Sequence, residues 1–487
     1  MPRTGLALVV MAATLVGFLL APADQALAAA PDAITTVDSN GFTVGSDTSV
    51  VLDAGGRPVI SYMANFGHVR LAHCGDAACS AGNAITGAAT SSIDKGTSLA
   101  LDSAGNPVIA YSGGLVHCGD PNCSSGNVFG TAPIGESVSL TLDAAGNPVV
   151  SYTLPEPVLE LRVLHCDDPK CTGGGDSTGT VGSAAELFGT SIALDGAGNP
   201  VVSYKTYSGV AIAHCNDATC SGGDESISIL DVADAGRHSS LELDAAGNPV
   251  VAYTFNNVLR VLHCNDPDCM GGDESFASPT GAGYPDHTSL ELDAGGNPVV
   301  SYSDLSTVVL KLLRCDDPNC DGTGEVHTAV DSPGNVGPYT SLVLDASEHP
   351  VISYFDHGND DLKLIHCASP SCDGDGDDDG CSNSAEQQTA PGSELSGGRR
   401  DLKNRYDYFN PTGDGQNRID DVLAVVDAYF MDDTDGNPGL PPYAAGYNPD
   451  MDRTLLGPDA WDTWEPNGLQ RVDDVLNALK QYFHDCG

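Results

Sequence analysis

Basic side chains are scarce in this 487-residue chain: 20 Lys and Arg stand against 67 Asp and Glu, a formal net charge of −47. The shortage excludes nucleic-acid binding by phosphate neutralisation, which needs clustered Lys and Arg. It equally excludes electrostatic adsorption to an anionic membrane. Charged residues make up only 18% of the chain and hydrophobic ones 41%, which describes a globular protein with an acidic surface rather than a disordered polyelectrolyte. Beyond the first 28 residues no apolar run is long enough to span a bilayer. No nucleophile elbow, phosphate loop or zinc-protease helix is present either. What is abundant is Gly, 57 residues, and Pro, 30, the composition of a chain full of turns.

Arg3, the apolar run Leu6 to Leu20 and the small-x-small site Ala26-Leu27-Ala28 have the order of a secretory signal peptide, expected to span residues 1–28. Export would place the 16 cysteines, an even number, where disulfides persist.

The sequence repeats. Leu243-Asp244-Ala245-Ala246-Gly247-Asn248-Pro249-Val250-Val251-Ala252-Tyr253 has counterparts throughout, and its Tyr recurs as Tyr62, Tyr111, Tyr152, Tyr204, Tyr253, Tyr302 and Tyr354. A period of about 49 residues lies in the range of propeller blades. In each unit an alternating strand such as Ser240 to Leu243 leads through an Ala-Gly-Asn-Pro turn into a β-branched strand ending at the Tyr. A third strand follows, such as Leu259 to His263, and then a less regular fourth, such as Ile227 to Leu230 or Val326 to Val330. After Cys372 the seventh unit runs into Asp373-Gly374-Asp375-Gly376 and lacks its fourth strand. Thr35-Thr36-Val37-Asp38-Ser39 matches Thr328-Ala329-Val330-Asp331-Ser332, the fourth strand of unit six, so the N-terminal segment is expected to complete the last blade. The predicted fold is mainly β: a seven-bladed β-propeller over residues 34–372, closed by its N-terminal strand and followed by a small α-helical module over 373–487.

The repeated Leu-Asp-x-x-Gly-x-Pro-x-x-x-Tyr signature resembles that of secreted bacterial propellers, within the wider group of sialidase-like and lectin propellers. The Ser-x-Asp-x-Gly-x-x-Trp boxes of a sialidase are absent. The resemblance implies the fold and not an activity.

Each unit carries two cysteines with four residues between them. The pairs are Cys74 and Cys79, Cys118 and Cys123, Cys166 and Cys171, Cys215 and Cys220, Cys264 and Cys269, Cys315 and Cys320, and Cys367 and Cys372. An intervening Asp-Pro or Asp-Ala turn lets the chain double back, and isolated pairs in an oxidising compartment read as local disulfides rather than four-ligand zinc knuckles. The residue before each first Cys is His73, His117, His165, His214, His263, Arg314 or His366, a repeat position that reads as structural.

Past Cys372 the composition changes. Asp375, Asp377, Asp379, Gly380 and Glu386 fit D-x-D-x-D-G-x5-E, a calcium loop in which alternate carboxylates, the carbonyl of Cys381 at position seven, Asn383 at position nine and a terminal Glu supply hard oxygen ligands. A solvated acidic linker is the competing reading. Further on, Arg418-Ile419-Asp420-Asp421-Val422-Leu423 recurs as Arg471-Val472-Asp473-Asp474-Val475-Leu476, each with helical apolar spacing. Two loop-helix repeats of this kind resemble a type I dockerin, and the preceding Asp-rich loop resembles a thrombospondin type 3 loop. That resemblance implies Ca²⁺ ligands at Asn410, Asp414 and Asp421 in the first repeat and at Asn467 and Asp474 in the second. It departs from the dockerin pattern at Asn417 and Gln470, where a hydrophobic residue is usual. Cys381 and Cys486, the two cysteines left over, are expected to bridge the ends of this module.

Propellers bind ligands with variable loops at one mouth of the ring; here these include Leu154 to Leu159, Lys205 to Gly209 and Phe355 to Asp361. The leading expectation is an extracellular protein binding carbohydrate or a surface protein beside a calcium-dependent module. The alternative is a polysaccharide hydrolase or lyase working at the mouth. No catalytic residue is assignable from sequence, since paired carboxylates assembled from different blades are hidden among 67 acidic residues.

Overall fold

The computed structural model describes residues 32–372, apart from residues 66, 92–95, 156, 184–188, 233–234, 323 and 332–334, together with Thr454–Leu455 and Thr463–Trp464. The expected signal peptide, the calcium ligands from Asp375 to Asp474 and the Cys381–Cys486 bridge lie outside the described residues. So do the expected C-terminal helices. Thr454–Leu455 and Thr463–Trp464 form a two-stranded antiparallel pair.

Residues 32–372 form seven four-stranded antiparallel sheets. Blade 1 comprises β2 (Ser46–Leu52), β3 (Pro58–Ala64), β4 (His68–His73) and β5 (Ala84–Thr90). Blade 2 comprises β6 (Thr97–Leu101), β7 (Pro107–Tyr111), β8 (Gly114–His117) and β9 (Val128–Phe129). Blade 3 holds β10 (Glu136–Leu142), β11 (Pro148–Thr153), β12 (Glu160–His165) and β13 (Ser177–Ser183). Blade 4 holds β14 (Thr190–Leu194), β15 (Pro200–Thr206), β16 (Gly209–His214) and β17 (Ser226–Val232). In blade 5 the strands are β18 (Ala235–Leu243), β19 (Pro249–Phe255), β20 (Val258–His263) and β21 (Ser275–Ala277). In blade 6 they are β22 (Pro285–Leu292), β23 (Pro298–Asp304), β24 (Val309–Arg314) and β25 (Val326–Asp331). Blade 7 is built from β26 (Ser341–Leu344), β27 (Pro350–Asp356), β28 (Asp361–His366) and, as its outer strand, β1 (Ala33–Asp38). No helix occurs among the described residues, so none there is long and apolar enough to cross a membrane.

The closure expected from sequence is present: β1 runs antiparallel to β28, with Ile34 opposite Ile365 and Thr35 opposite Leu364. The first strands of consecutive blades touch in order, and β26 touches β2, so the chain forms a complete ring. A hydrogen-bond circuit stitches its inner wall. The backbone N–H of Leu99 donates to the Ser49 hydroxyl, Leu140 to Ser98, Ile192 to Ser139, Leu241 to Ser191, Leu290 to Ser240, Leu342 to Ser289, and Val50 to Ser341, all at 2.9–3.2 Å. Inner strands of neighbouring blades are splayed too far apart for a ladder, so a side-chain oxygen bridges each gap and satisfies the inward N–H.

The core is divided into seven layers, each between two blades. Between blades 7 and 1, Val50, Ile60, Tyr62 and the Cys74–Cys79 pair meet Val351, Leu362 and Leu364. The repeat Tyr spans such a layer. The Tyr62 hydroxyl donates to Asp38 Oδ2 across the closing seam at 2.7 Å, as Tyr253 does to Asp231 and Tyr354 to Asp331 at 2.8 and 2.7 Å. Each buried phenol thereby finds an acceptor on the preceding blade.

All seven expected cysteine pairs are disulfide-bonded: Cys74 with Cys79, Cys118 with Cys123, Cys166 with Cys171, Cys215 with Cys220, Cys264 with Cys269, Cys315 with Cys320, and Cys367 with Cys372. Their Cα–Cα distances are 4.8–5.1 Å. Each closes a short loop and is worth about 2 kcal/mol on the chain-entropy account. One feature of these loops differs from a plain Asp-Pro or Asp-Ala turn. The second cysteine of every pair (Cys79, Cys123, Cys171, Cys220, Cys269, Cys320 and Cys372) has positive φ, from 46° to 56°. Its N–H donates to the carbonyl three residues back, at Asp76, Asp120, Asp168, Asp217, Asp266, Asp317 and Ser369 respectively, at 2.9–3.2 Å. Gly would take this backbone more easily, but Gly cannot form the crosslink, so Cys carries the left-handed position in all seven blades.

Candidate functional site

The two ends of the ring differ chemically. At one end lie the first hairpin turns and the cysteine loops, and the seven copies agree there. The turn aspartate caps its own loop: Asp244 Oδ1 accepts from the N–H groups of Ala246 and Asn248, each at 2.8 Å. Its other oxygen takes the repeat His, with Nε2–Oδ2 hydrogen bonds of 3.0 Å for His73–Asp53, 3.0 Å for His165–Asp143, 3.1 Å for His214–Asp195, 3.1 Å for His263–Asp244 and 2.9 Å for His366–Asp345. His117 Nε2 lies 3.1 Å from Asp102 Oδ2 without the alignment of a hydrogen bond. Arg314 makes the same bond to Asp293 at 3.1 Å. Burial alone would raise these carboxyls, but hydrogen bonds from the turn and from the His hold Asp143, Asp195 and Asp244 below the ordinary carboxylate range. The second His nitrogen reaches the next blade's cysteine loop: His73 Nδ1 to Asn122, His214 to Asp268 and His263 to Asn319, at 2.9, 2.9 and 3.1 Å. The His series is thus structural, as its repeat position implied, and at His73, His214 and His263 it tethers neighbouring blades.

At the opposite end the copies diverge. The position two residues before the inner-strand Ser is occupied in turn by Asp47, Gly96, Ser137, Gly189, His238, His287 and Tyr339, and all seven have positive φ, from 49° to 90°. In blades 1, 3, 5 and 6 the strand pairing shifts register across this residue, as in a β-bulge. The bulge turns its carbonyl toward the following blade, where Thr97 donates to the Asp47 carbonyl and Thr48 to that of Tyr339, at 2.7 and 2.8 Å; Thr288 bonds His238 likewise. Two blades use Gly, for which this backbone is free of strain. The other five hold Asp, Ser, His, His and Tyr there at a cost of about 1 kcal/mol or more apiece, the pattern in which strain marks a site. At the cysteine loops the strained residue is the same in every blade and a crosslink accounts for it. At the mouth no crosslink does, and the residue varies.

These chemically distinct residues converge in one sector. The His238 and His287 rings lie 4.1 Å apart, and Tyr339 packs edge-on to His287 at 4.4 Å. Phe355 is 6.4 Å from Tyr339, and His357 is 5.5 Å from Phe355. Asp286 lies beneath the two histidines, its Oδ1 3.4 Å from His238 Nε2 and its Oδ2 3.6 Å from His287 Nδ1. Burial pushes both imidazoles below their ordinary value; the charge of Arg237 adds to this at both rings, and that of Lys205 at His238.

Two carboxylates meet farther along the inner wall. Glu242 on β18 and Glu291 on β22 occupy the same register in adjacent blades, where the other five copies have Val51, Ala100, Thr141, Ala193 and Val343. Both are half-buried. Burial pushes Glu242 up to about 7, and burial together with the charge of Glu242 pushes Glu291 up to about 8.

Of the loops expected to line the mouth, those at Lys205 and Phe355 reach this sector. Sequence reasoning missed His238, Asp286, His287 and Tyr339. Their signal was available, because 238, 287 and 339 are one repeat position whose residue changes between units while the Ser two residues on persists.

The described chain is therefore a disulfide-stapled seven-bladed β-propeller with one uniform end and one diversified end. Solved structures similar to it include the NanB sialidase of Streptococcus pneumoniae, at 10% identity with a TM-score of 0.41 over 68% of this chain and 69% of that one. The polysaccharide lyase Uly1 is similar at 7% identity, TM-score 0.41, over 68% and 91% of the two chains. The SapL1 lectin, solved with alpha methyl fucoside, is similar at 13% identity, TM-score 0.40, over 61% and 98%. No protein-family model and no curated protein matches the chain.

Proposed function

We propose that this is an exported binding protein that holds a neutral carbohydrate at the diversified mouth. The observation that carries the reading is the seven-member ring of positive-φ positions, where the fold is constant and the side chains are not. Tyr339 and the His238 and His287 rings, all half-buried, offer apolar faces to a sugar ring, while Phe355 is buried and packs near Tyr339. Arg237 and Lys205 supply donors for hydroxyl groups. The net charge of −47 opposes approach of a polyanionic glycan. The C-terminal segment with Asp375, Asp377, Asp379 and Glu386 belongs to this proposal as a Ca²⁺-stabilised module; a chelator should lower its melting temperature, and an unchanged melt removes calcium from the reading.

The test is a glycan array probed with the secreted protein and with Tyr339→Ala. Binding to a neutral glycan that falls at least tenfold in the variant supports the proposal. A blank array, or equal binding by the variant, sinks it.

A hydrolytic reading has one specific observation in its favour, the pair Glu242 and Glu291, since carboxyls with raised proton affinity on neighbouring blades are the raw material of glycoside hydrolysis. Release of reducing sugar by the wild type and not by Glu242→Gln would establish it; no release from any polysaccharide would dismiss it.

A further inference from the structure

We propose that His238, Asp286 and His287 bind one divalent transition-metal ion of the zinc class at the diversified mouth. The three side chains come from β18 and β22 on adjacent blades, and one ligand atom from each falls within 4.8 Å of the other two. Their separations suit a shared ion better than direct bonds. Two ligands of a tetrahedral ion with bonds of about 2.1 Å stand about 3.4 Å apart. Asp286 Oδ1 lies 3.4 Å from His238 Nε2, and Asp286 Oδ2 lies 3.6 Å from His287 Nδ1.

A second observation is independent of that spacing. Asp286 Oδ1 and His287 Nδ1 are both buried with no hydrogen-bond partner. A buried polar atom left unsatisfied costs about 1–3 kcal/mol, so two of them within one cluster of potential ligands call for a ligand. The backbone adds a third argument. His238 and His287 both hold φ near 50°, and edge-on packing of Tyr339 fixes the His287 ring. Strain and packing together pre-set the imidazoles, as second-layer contacts do around bound metals.

The donor set selects the ion. Two imidazoles and one carboxylate suit zinc and its first-row neighbours, whereas Ca²⁺ and Mg²⁺ require mostly oxygen. Arg237 and Lys205 stand near His238 and oppose a cation there, so affinity must come from the three ligand bonds rather than from a general acidic field. The other groupings of potential ligands among the described residues are either acidic triads or include disulfide-bonded sulfurs, which offer no thiolate. Three protein ligands leave a fourth position for water or for an oxygen of whatever occupies the mouth. The proposal does not depend on the carbohydrate reading.

Cobalt(II) reports such a site directly. The full-length protein is stripped of metal, saturated with Ca²⁺ to fill oxygen-rich sites, and titrated with Co²⁺. One equivalent should develop the visible absorption of tetrahedral cobalt, and Zn²⁺ should abolish it. Asp286→Asn and His287→Asn should each weaken binding at least tenfold while the metal-free circular dichroism is unchanged, Asn being tolerant of positive φ. Absence of the absorption from the wild type, or its persistence in both folded variants, overturns the proposal. Should the variants misfold, X-ray absorption on the zinc-loaded wild type decides. Two imidazole nitrogens with oxygen support the site, and an all-oxygen or sulfur shell refutes it.

Discussion

Replacing Glu242 and Glu291 together by Gln should make the propeller more stable at alkaline pH and leave it unaffected in acid. The folded protein raises these carboxyls from 4.5 to about 7 and about 8. A group whose folded pKa lies above its unfolded one binds its proton more tightly in the native state. Its contribution is complete below pH 4.5 and is lost as pH rises through about 8. At about 1.4 kcal/mol per pH unit, the two rises taken singly correspond to about 3 and about 5 kcal/mol. The mutual repulsion enters only the second rise, so the sum is an upper bound, and it is discounted because both side chains keep part of their surface in water. We expect about 3 kcal/mol in total for the pair. Gln keeps the shape and removes the charge. The assay is urea unfolding followed by circular dichroism, from acid to alkaline pH, on wild type and double variant. Subtracting the curves cancels the buried histidines, whose lowered pKa values give a slope of opposite sign. A difference that grows between pH 4.5 and about 8 and then levels off agrees with the structure. A flat difference means that the two carboxyls are solvated and independent, and the reasoning fails.

Other substitutions probe the closure and the uniform end. Asp38→Ala removes the buried acceptor of Tyr62 and Arg70 at the seam and should cost about 3–5 kcal/mol in urea unfolding; a loss under 1 would mean the seam carries little. Arg314→His should be tolerated within about 1 kcal/mol, because six other blades already use His against the same Asp, whereas Arg314→Leu strands buried Asp293 and should cost about 2–3. Equal losses in both would contradict the tether. Glu348 stands where the other turns have Gly; its φ of 64° is unfavourable, but its carboxylate accepts from Ala294 N–H on blade 6 at 2.8 Å. Glu348→Gly should therefore change stability by less than about 1 kcal/mol, relief of strain offsetting the lost bond; a clear gain or loss in the melting temperature would show which dominates.

The blades were legible because their signals are local. Alternation from Ser240 to Leu243, the Gly247-Asn248-Pro249 turn and six-residue cysteine loops each act over a few neighbouring residues. The crosslinks themselves could be read from spacing, but the left-handed backbone at Cys123, Cys220, Cys269, Cys320 and their counterparts could not, because nothing in a cysteine's chemistry favours positive φ. The closing strand could be read because Val37-Asp38 copies Val330-Asp331, and in the structure Asp38 and Asp331 do the same work for Tyr62 and Tyr354. The His series could be judged structural from its position alone. Its partners, the turn aspartate and the next blade's loop, could not be named, since one of them lies on another sheet.

Sequence alone determined the number of blades, the pairing of the seven cysteine loops and the strand that completes the ring, because each follows from a short-range pattern repeated at a fixed period. The tertiary structure decided which end of the ring is diversified and which residues face each other there. His238 and His287, or Glu242 and Glu291, are 49 residues apart and become neighbours only because equal positions on adjacent blades are brought together when the sheets pack side by side around an axis. That lateral packing is set by the layers between blades, so the meeting of side chains across them emerges only when the ring is formed.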